Sequence, residues 1–413
     1  MARFVAAVIV GVAIVAATAA VAVAAPDRTI AVIEVTGNHR TRTPTILTAA
    51  GVAVGTRVDD ATAAVVRQRL LNTQLFSRVD VDVGATATGA GVTLAIHVDE
   101  RWTLLPVPFG GASNGTWEAG VVVTETNLLG RRKTLVVGMS LSDRGVGGLV
   151  SYRDPAVAGT PWGFGLDVSY EDRTREELDG ATVLDKFDER REFAALRVGY
   201  RFERRLVVGG GWFGFSTTPT AVDGFTAPTA SGLVHGPFVE AEYEGRDARG
   251  VFRIGPFAQA RVKLGLEALG ATRAYRGAVA RGGYTAAVGP GAVTIGGLYE
   301  RSHGDALVDA LNLGGRTGTR GFRSGGLWAD AAGAVVLEGD VPVWRPCLGT
   351  LTGGAFVELG DAERLGTHTS YATVGVALDF FLAGIAAPGI TLEIARSTGS
   401  DELVTALSIG STF

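Results

Sequence analysis

Reactive and metal-binding side chains are scarce in this chain. Its 413 residues include one cysteine, two methionines and five histidines. Cys347 has no second cysteine to oxidise with and no ligand companion at metal-site spacing, so neither a disulfide nor a thiolate site is expected. The histidines, at positions 39, 97, 235, 303 and 368, show no i,i+4 pairing and no neighbouring carboxylate motif. No metal and no cofactor are therefore expected. Charge is scarce as well, at 19% of residues where about 25% is usual. A net charge of −4 and a pI near 5.8, without a basic stripe, exclude a phosphate-neutralising surface, and with it nucleic acid as a partner. Beyond residue 25 no apolar run reaches the roughly 18 residues that a membrane helix needs.

Glycine is in excess. The 59 glycines are twice the usual share of about 7%, yet they follow no collagen-like period. With 46% hydrophobic residues and a mean hydropathy of +0.25, disorder is excluded too. The apolar residues must therefore sit on alternate positions. Residues 1–25 open Met1-Ala2-Arg3, run apolar, and end in small residues before Pro26. They read as a signal peptide cleaved near Ala24, and no cysteine follows for lipid attachment.

Residues 29–100 read as a small α+β domain. Ile30 to Val35 suggest a strand closed by Gly37-Asn38, and Thr43-Pro44 opens a helix that Gly51 stops. A second helix begins near Asp59 or Asp60. Val79, Val81 and Val83, then Val92, Leu94, Ile96 and Val98, alternate with polar residues, giving two more strands and the order βααββ.

From about 104 to 413 the helical period vanishes. Trp162, Phe164, Leu166, Val168 and Tyr170 interleave with Gly163, Gly165, Asp167, Ser169 and Glu171, and similar ladders recur. About sixteen strands are expected, so the chain is mainly β: a transmembrane antiparallel barrel. Short links at 127–131, 154–161, 245–250, 287–291 and 345–350 alternate with longer ones at 172–191, 218–232, 304–327 and 360–369. That parity places both chain ends, and the small domain, on the periplasmic side of an outer membrane. Phe413 ends the last strand, at the expected barrel seam.

These residues resemble the Omp85 superfamily, the bacterial surface antigen barrels that include BamA-like and TamA-like assembly factors. The small domain resembles a single POTRA domain through Gly37-Asn38, Leu70, Phe76-Ser77-Arg78-Val79 and Val98-Asp99-Glu100. Asn127-Leu128-Leu129-Gly130 and Arg153-Asp154-Pro155 are similar to early periplasmic turns of that family. Gly314-Gly315, Thr319-Arg320-Gly321-Phe322, Gly325-Gly326, Glu338 and Pro342 resemble its loop-six motif and the strand after it, and Phe356 to Gly360 its Phe-x-Asp-x-Gly strand with Glu358 in place of Asp. The resemblance implies that the loop at 304–327 tucks into the barrel and that Arg320 meets an acidic residue of the wall. Glu358 is the expected partner, with Asp361 as the alternative.

No catalytic constellation is found, and an enzyme is not expected. Gly111-Ala112-Ser113-Asn114-Gly115 spells a nucleophile elbow but precedes a strand rather than a helix. Gly209 to Gly214 spells G-x-G-x-x-G inside a strand-like ladder, with no helix to cradle phosphate. The charged run from Glu171 to Glu192 reads as a solvated outside loop. The resemblance implies insertion or translocation of client proteins through POTRA binding and a lateral barrel seam. Its partners would be outer-membrane lipids, unfolded outer-membrane or secreted clients, and periplasmic chaperones or other envelope proteins. A pore plugged by the 304–327 loop and a surface interaction protein are the alternatives.

Overall fold

The computed structural model describes residues 28–413 except 87–90, 114–115, 180–181, 223, 305–306, 315–318, 323–324, 385–389, 401–402 and 410–413. The expected signal peptide, Gly315 and Phe413 lie outside the described residues.

The small unit comprises β1 (Arg28–Thr36), α1 (Thr43–Ala50), β2 (Arg57–Val58), α2 (Thr62–Leu71), β3 (Phe76–Ala85) and β4 (Val92–Glu100). Its sheet has the order β2-β1-β4-β3, with β1 parallel to β4 and β3 antiparallel to it. The expected βααββ order thus gains β2, whose two residues are too few to leave a period in the sequence. Pro44 sits in the first turn of α1, and Gly51, at φ 70°, ends it with its N–H returned to the Leu47 carbonyl. Ile46, Leu70, Phe76, Val79, Leu94 and Ile96 form a dry core between helices and sheet. The Gly37-Asn38 turn is closed from the end of the parallel neighbour β4, where the Glu100 carboxylate accepts the backbone N–H of His39, Arg40 and Thr41 at 3.1, 2.8 and 2.6 Å. Burial pushes the Glu100 carboxyl upward, but these hydrogen bonds outweigh it and hold the group below its ordinary range.

The remaining chain closes into a sixteen-stranded antiparallel barrel. Its first strands are β5 (Leu104–Ser113), β6 (Thr116–Leu128), β7 (Lys133–Ser142), β8 (Gly145–Asp154), β9 (Trp162–Asp179), β10 (Thr182–Phe202), β11 (Leu206–Ala221) and β12 (Gly232–Glu244), which the short β13 (Asp247–Arg249) continues. After β14 (Phe252–Gly265), β15 (Tyr275–Val288) and β16 (Gly291–Gly304) come two short loop strands, β17 (Leu311–Leu313) and β18 (Leu327–Ala329). The barrel is completed by β19 (Ala331–Trp344), β20 (Gly349–Arg364), β21 (Thr367–Leu382), β22 (Ile390–Ser397) and β23 (Leu403–Ile409).

Burial along these strands is inverted relative to a soluble sheet. Trp162, Leu166, Val168 and Tyr170 are exposed, whereas Asp167 points inward to Arg153 and Arg197, each at 2.7 Å. Arg197 and Arg261 both reach Glu240, so charged side chains are paired across neighbouring strands inside the wall. An apolar exterior over a charged interior is the pattern of a barrel solvated by lipid. Trp162, Phe202 and Trp344 stand exposed at the end where the chain enters, as an interfacial aromatic belt requires.

Two expected loops are strand instead. The charged segment 172–191 continues β9 and β10 as one long hairpin, paired from Trp162↔Tyr200 to Asp179↔Thr182 with a one-residue bulge between Val183 and Asp185. Beyond the lipid both faces of a strand are wetted, so the alternation disappears while the backbone ladder continues. Segment 360–369 likewise belongs to β20 and β21, joined by a tight turn at Leu365 and Gly366, both at positive φ. Of the expected long links, those near 218–232 and 304–327 remain connections, at 222–231 and 305–330, and 266–274 is a further one that the sequence reading did not single out.

Candidate functional site

The connection between β16 and β19 is built as a tethered strap. β17 pairs with β18. At its root the Arg273 guanidinium donates to both oxygens of buried Asp309, at 2.8 and 2.7 Å. The outward extension of β9 and β10 also holds it. Trp328 Nε1 donates to the Glu176 carbonyl at 2.7 Å, Arg175 reaches Asn312 at 3.0 Å, and Phe187 packs against Val308 and Trp328.

The strap's tip lies against the inner wall formed by β19 to β22. Thr319, Arg320 and Phe322 are all buried. Arg320 Nε and Nη2 donate to Glu393 Oε2 at 3.0 and 2.7 Å, and Nη1 and Nη2 donate to the two oxygens of Glu338 at 3.2 and 3.1 Å. The guanidinium plane covers the Phe356 ring at 3.5 Å, adding a cation–π contact to two charge-assisted pairs. The backbone is held equally: Arg320 N–H donates to Glu358 at 3.2 Å, and Thr373 Oγ1 donates to the Arg320 carbonyl at 3.0 Å. Gly321, at φ 80°, allows this approach, since a Cβ there would lie 2.5 Å from Thr373 Cγ2. Phe322 meets Tyr371 edge-on at 4.9 Å.

The expected side-chain pair of Arg320 with Glu358 is therefore not formed. Glu358 takes the backbone N–H, and the fork goes to Glu338 and Glu393, which face it from either side. Asp361 lies nearer the rim, where it accepts from His368 and Ser370. Gly314 lies just after β17, away from the Arg320 cradle. Sequence reading missed Glu393, because Ile390–Ser397 is an ordinary alternating strand and only barrel closure brings it beside the loop.

Beyond this wall β23 meets β5 to close the barrel. Among the described residues β23 and β5 share three pairs, Thr405↔Ala112, Ala406↔Gly111 and Leu407↔Gly110. Ser408 and Ile409, the next described residues of β23, pair with β22 alone. A visible but unused signal is Pro106-Val107-Pro108. Proline has no N–H to donate and is confined to strand edges. Since the β5–β6 ladder runs unbroken from Leu104↔Glu125 to Ser113↔Thr116, the edge that tolerates two prolines is the one facing β23.

The small unit sits on the barrel end where the chain enters. Asn127 of the Asn-Leu-Leu-Gly turn donates to Thr41 at 2.9 Å, and the Gly130 carbonyl accepts from Arg42 N–H and Thr45 Oγ1, each at 3.0 Å. Arg204, from the β10–β11 turn, donates to the Thr48 and Ala49 carbonyls at the C-terminal end of α1, where the helix dipole favours a cation. Asn72 binds Asp247 at 2.8 Å.

No family model matches the chain, and no curated protein matches it in sequence. Solved structures do match. BamA from Haemophilus ducreyi lacking POTRA domains 1–3 superposes with a TM-score of 0.53 at 15% identity, over 92% of this chain and 83% of that one. CdiB from Acinetobacter baumannii gives 0.60 at 14% identity, over 93% and 74%. The fold is that of the BamA and CdiB barrels. CdiB from Escherichia coli agrees, with a TM-score of 0.58 at 12% identity over 96% of this chain and 91% of that one. A closed barrel of sixteen strands with an apolar exterior is the architecture of an outer-membrane barrel.

Proposed function

We propose that the protein inserts client polypeptides into the outer membrane or translocates them across it, with a lateral opening between β5 and β23 as the working part. The observation that carries this reading is the β5 edge facing β23, which carries Pro106 and Pro108 and so offers fewer backbone donors, beside the four-strand cradle of Arg320. In lipid, unpaired backbone donors and acceptors are costly, so an under-paired edge favours a partner strand. The geometry supports a client strand taking that place.

The small unit acts in this proposal as a single POTRA domain in the periplasm. Its outer strand β3 is a free sheet edge, which suits an extended client by strand addition. Chaperones or other envelope proteins would deliver clients to it. Depletion of the protein followed by outer-membrane proteomics tests the reading. The expected result is a decline of particular other barrel or secreted proteins, and an unchanged proteome would overturn it.

A further inference from the structure

Between the small unit and the barrel end lies a cavity of about 1140 Å³ lined by both. Ten of its lining side chains are Arg or Lys and four are carboxylates. The carboxylates are outnumbered: among the described residues Glu242 lends its field to both Arg201 and Arg253 without an ion pair to either. Glu244 is shared by Arg246 and Arg253, and Asp247 is taken by Arg205 and Asn72. Arg204 is committed to the two carbonyls of α1. Among the described residues no carboxylate forms an ion pair with Arg131, Arg132 or Arg201, and these three converge on a chain already basic at this point.

The backbone enforces that convergence. Arg132 is held at φ 56°, with its N–H donated to Asn127 Oδ1, a conformation that non-glycine residues rarely adopt without compensation. Burial, and then the fields of Arg201, Arg204 and Arg253, push Arg132 down to about 10. A guanidinium keeps its proton, so Arg132 and Arg201, both half-buried, are neighbouring like charges that an anion would relieve.

The cavity opens toward the lumen rather than the lipid. Val208 and Phe202 are exposed on the outer wall, so Arg201, its partner Val207 and in turn Glu242 share the inner face. One pleat further in, Gly163, Gly199 and Gly209 stand side by side on three strands, leaving a row without side chains directly behind the arginines.

We infer that this vestibule binds an acidic, extended segment of polypeptide at the mouth of the lumen, its carboxylates received by Arg132 and Arg201. That the ligand is a polypeptide rests on the proposed function; that it is anionic rests on the charges alone. Planar guanidinium forks match carboxylates bidentately, and Ala49, Val65 and Val207 supply apolar wall for the residues between.

The test uses the full chain in detergent micelles with a fluorescent glutamate-rich peptide, and a lysine-rich peptide of equal length, read by anisotropy. The acidic peptide is expected to bind, to weaken as salt is raised, and to lose roughly tenfold in affinity in the Arg132→Gln, Arg201→Gln double variant. Heat-modifiable migration on gels, which neither residue serves, checks that the variant barrel is folded. Equal binding of both peptides, an unaffected double variant, or displacement of the acidic peptide by phosphatidylglycerol micelles would overturn the inference, the last in favour of a lipid headgroup. Intact acidic-peptide binding alongside an unchanged proteome on depletion would break the proposed function alone. Charge-blind binding alongside a loss of clients would break this inference alone.

Discussion

The wall from β19 to β22 and the seam from β23 to β5 are neighbours around one barrel, yet they are built in opposite ways. On the wall, four successive strands each supply a group that holds the Arg320 segment: Glu338, Glu358, Thr373 and Glu393. At the seam, the described residues of the two strands share three pairs, and the first strand carries prolines at alternate positions. The difference locates rigidity and compliance. A barrel that opens at one seam needs the strands beside it to keep their register, and the strap bolts those strands together from inside.

The largest expected effect breaks the rigid half of that comparison. Arg320→Ala leaves Glu338 and Glu393 without a counter-charge, and losing one partner of a buried ion pair costs about 3–5 kcal/mol. The temperature at which heat-modifiable migration is lost should fall sharply. Arg320→Lys should restore only part of it, because an ammonium lacks the fork that serves two carboxylates.

A double-mutant cycle sharpens the partner assignment. Arg320→Ala and Glu393→Gln should be non-additive by about 1 kcal/mol or more, whereas Arg320→Ala and Glu358→Gln should be close to additive, because Glu358 accepts from the backbone. Stronger coupling to Glu358 would restore the pair expected from the sequence.

A smaller effect is expected at the compliant half. Replacing Pro106 and Pro108 by valine returns two N–H donors to β5, each hydrogen bond contributing about 0.5–1.5 kcal/mol. Hydrogen exchange in β5 should slow and client handling should weaken. Unchanged exchange would mean that the prolines do not limit the seam.

The smallest effect concerns the small unit. Glu100 has a folded pKa below its ordinary value of 4.5, so its contribution is present above that value and fades as pH falls through the folded one. Acid below about pH 4.5 should loosen the Gly37-Asn38 turn, seen as faster exchange at Arg40 and Thr41. Glu100→Gln should show that looseness already at neutral pH.

The sequence was most legible where environment imposes a strict period. Lipid on one side of a strand and a polar lumen on the other made Trp162 to Tyr170 readable, and the strand count with it. It was least legible where that contrast ends. The outward extension of β9 and β10 carries charge on both faces, so a paired hairpin resembled a loop. Within the strap, Arg320 and Gly321 could be singled out because fork geometry and positive φ demand those residue types. Which carboxylates receive the fork depends on the stagger of β22 against β19, a property of barrel closure that no local pattern encodes.

The account's central claim is that the β5–β23 seam opens while the Arg320 wall holds. The most direct measurement is client insertion by protein carrying Gly110→Cys and Leu407→Cys in a Cys347→Ser background, oxidised and then reduced. Residues 110 and 407 face each other across the seam, and Cys347 is an exposed free thiol. Insertion should stop when the disulfide forms and return with reductant, while heat-modifiable migration stays intact throughout. Full insertion by the oxidised protein would contradict the account.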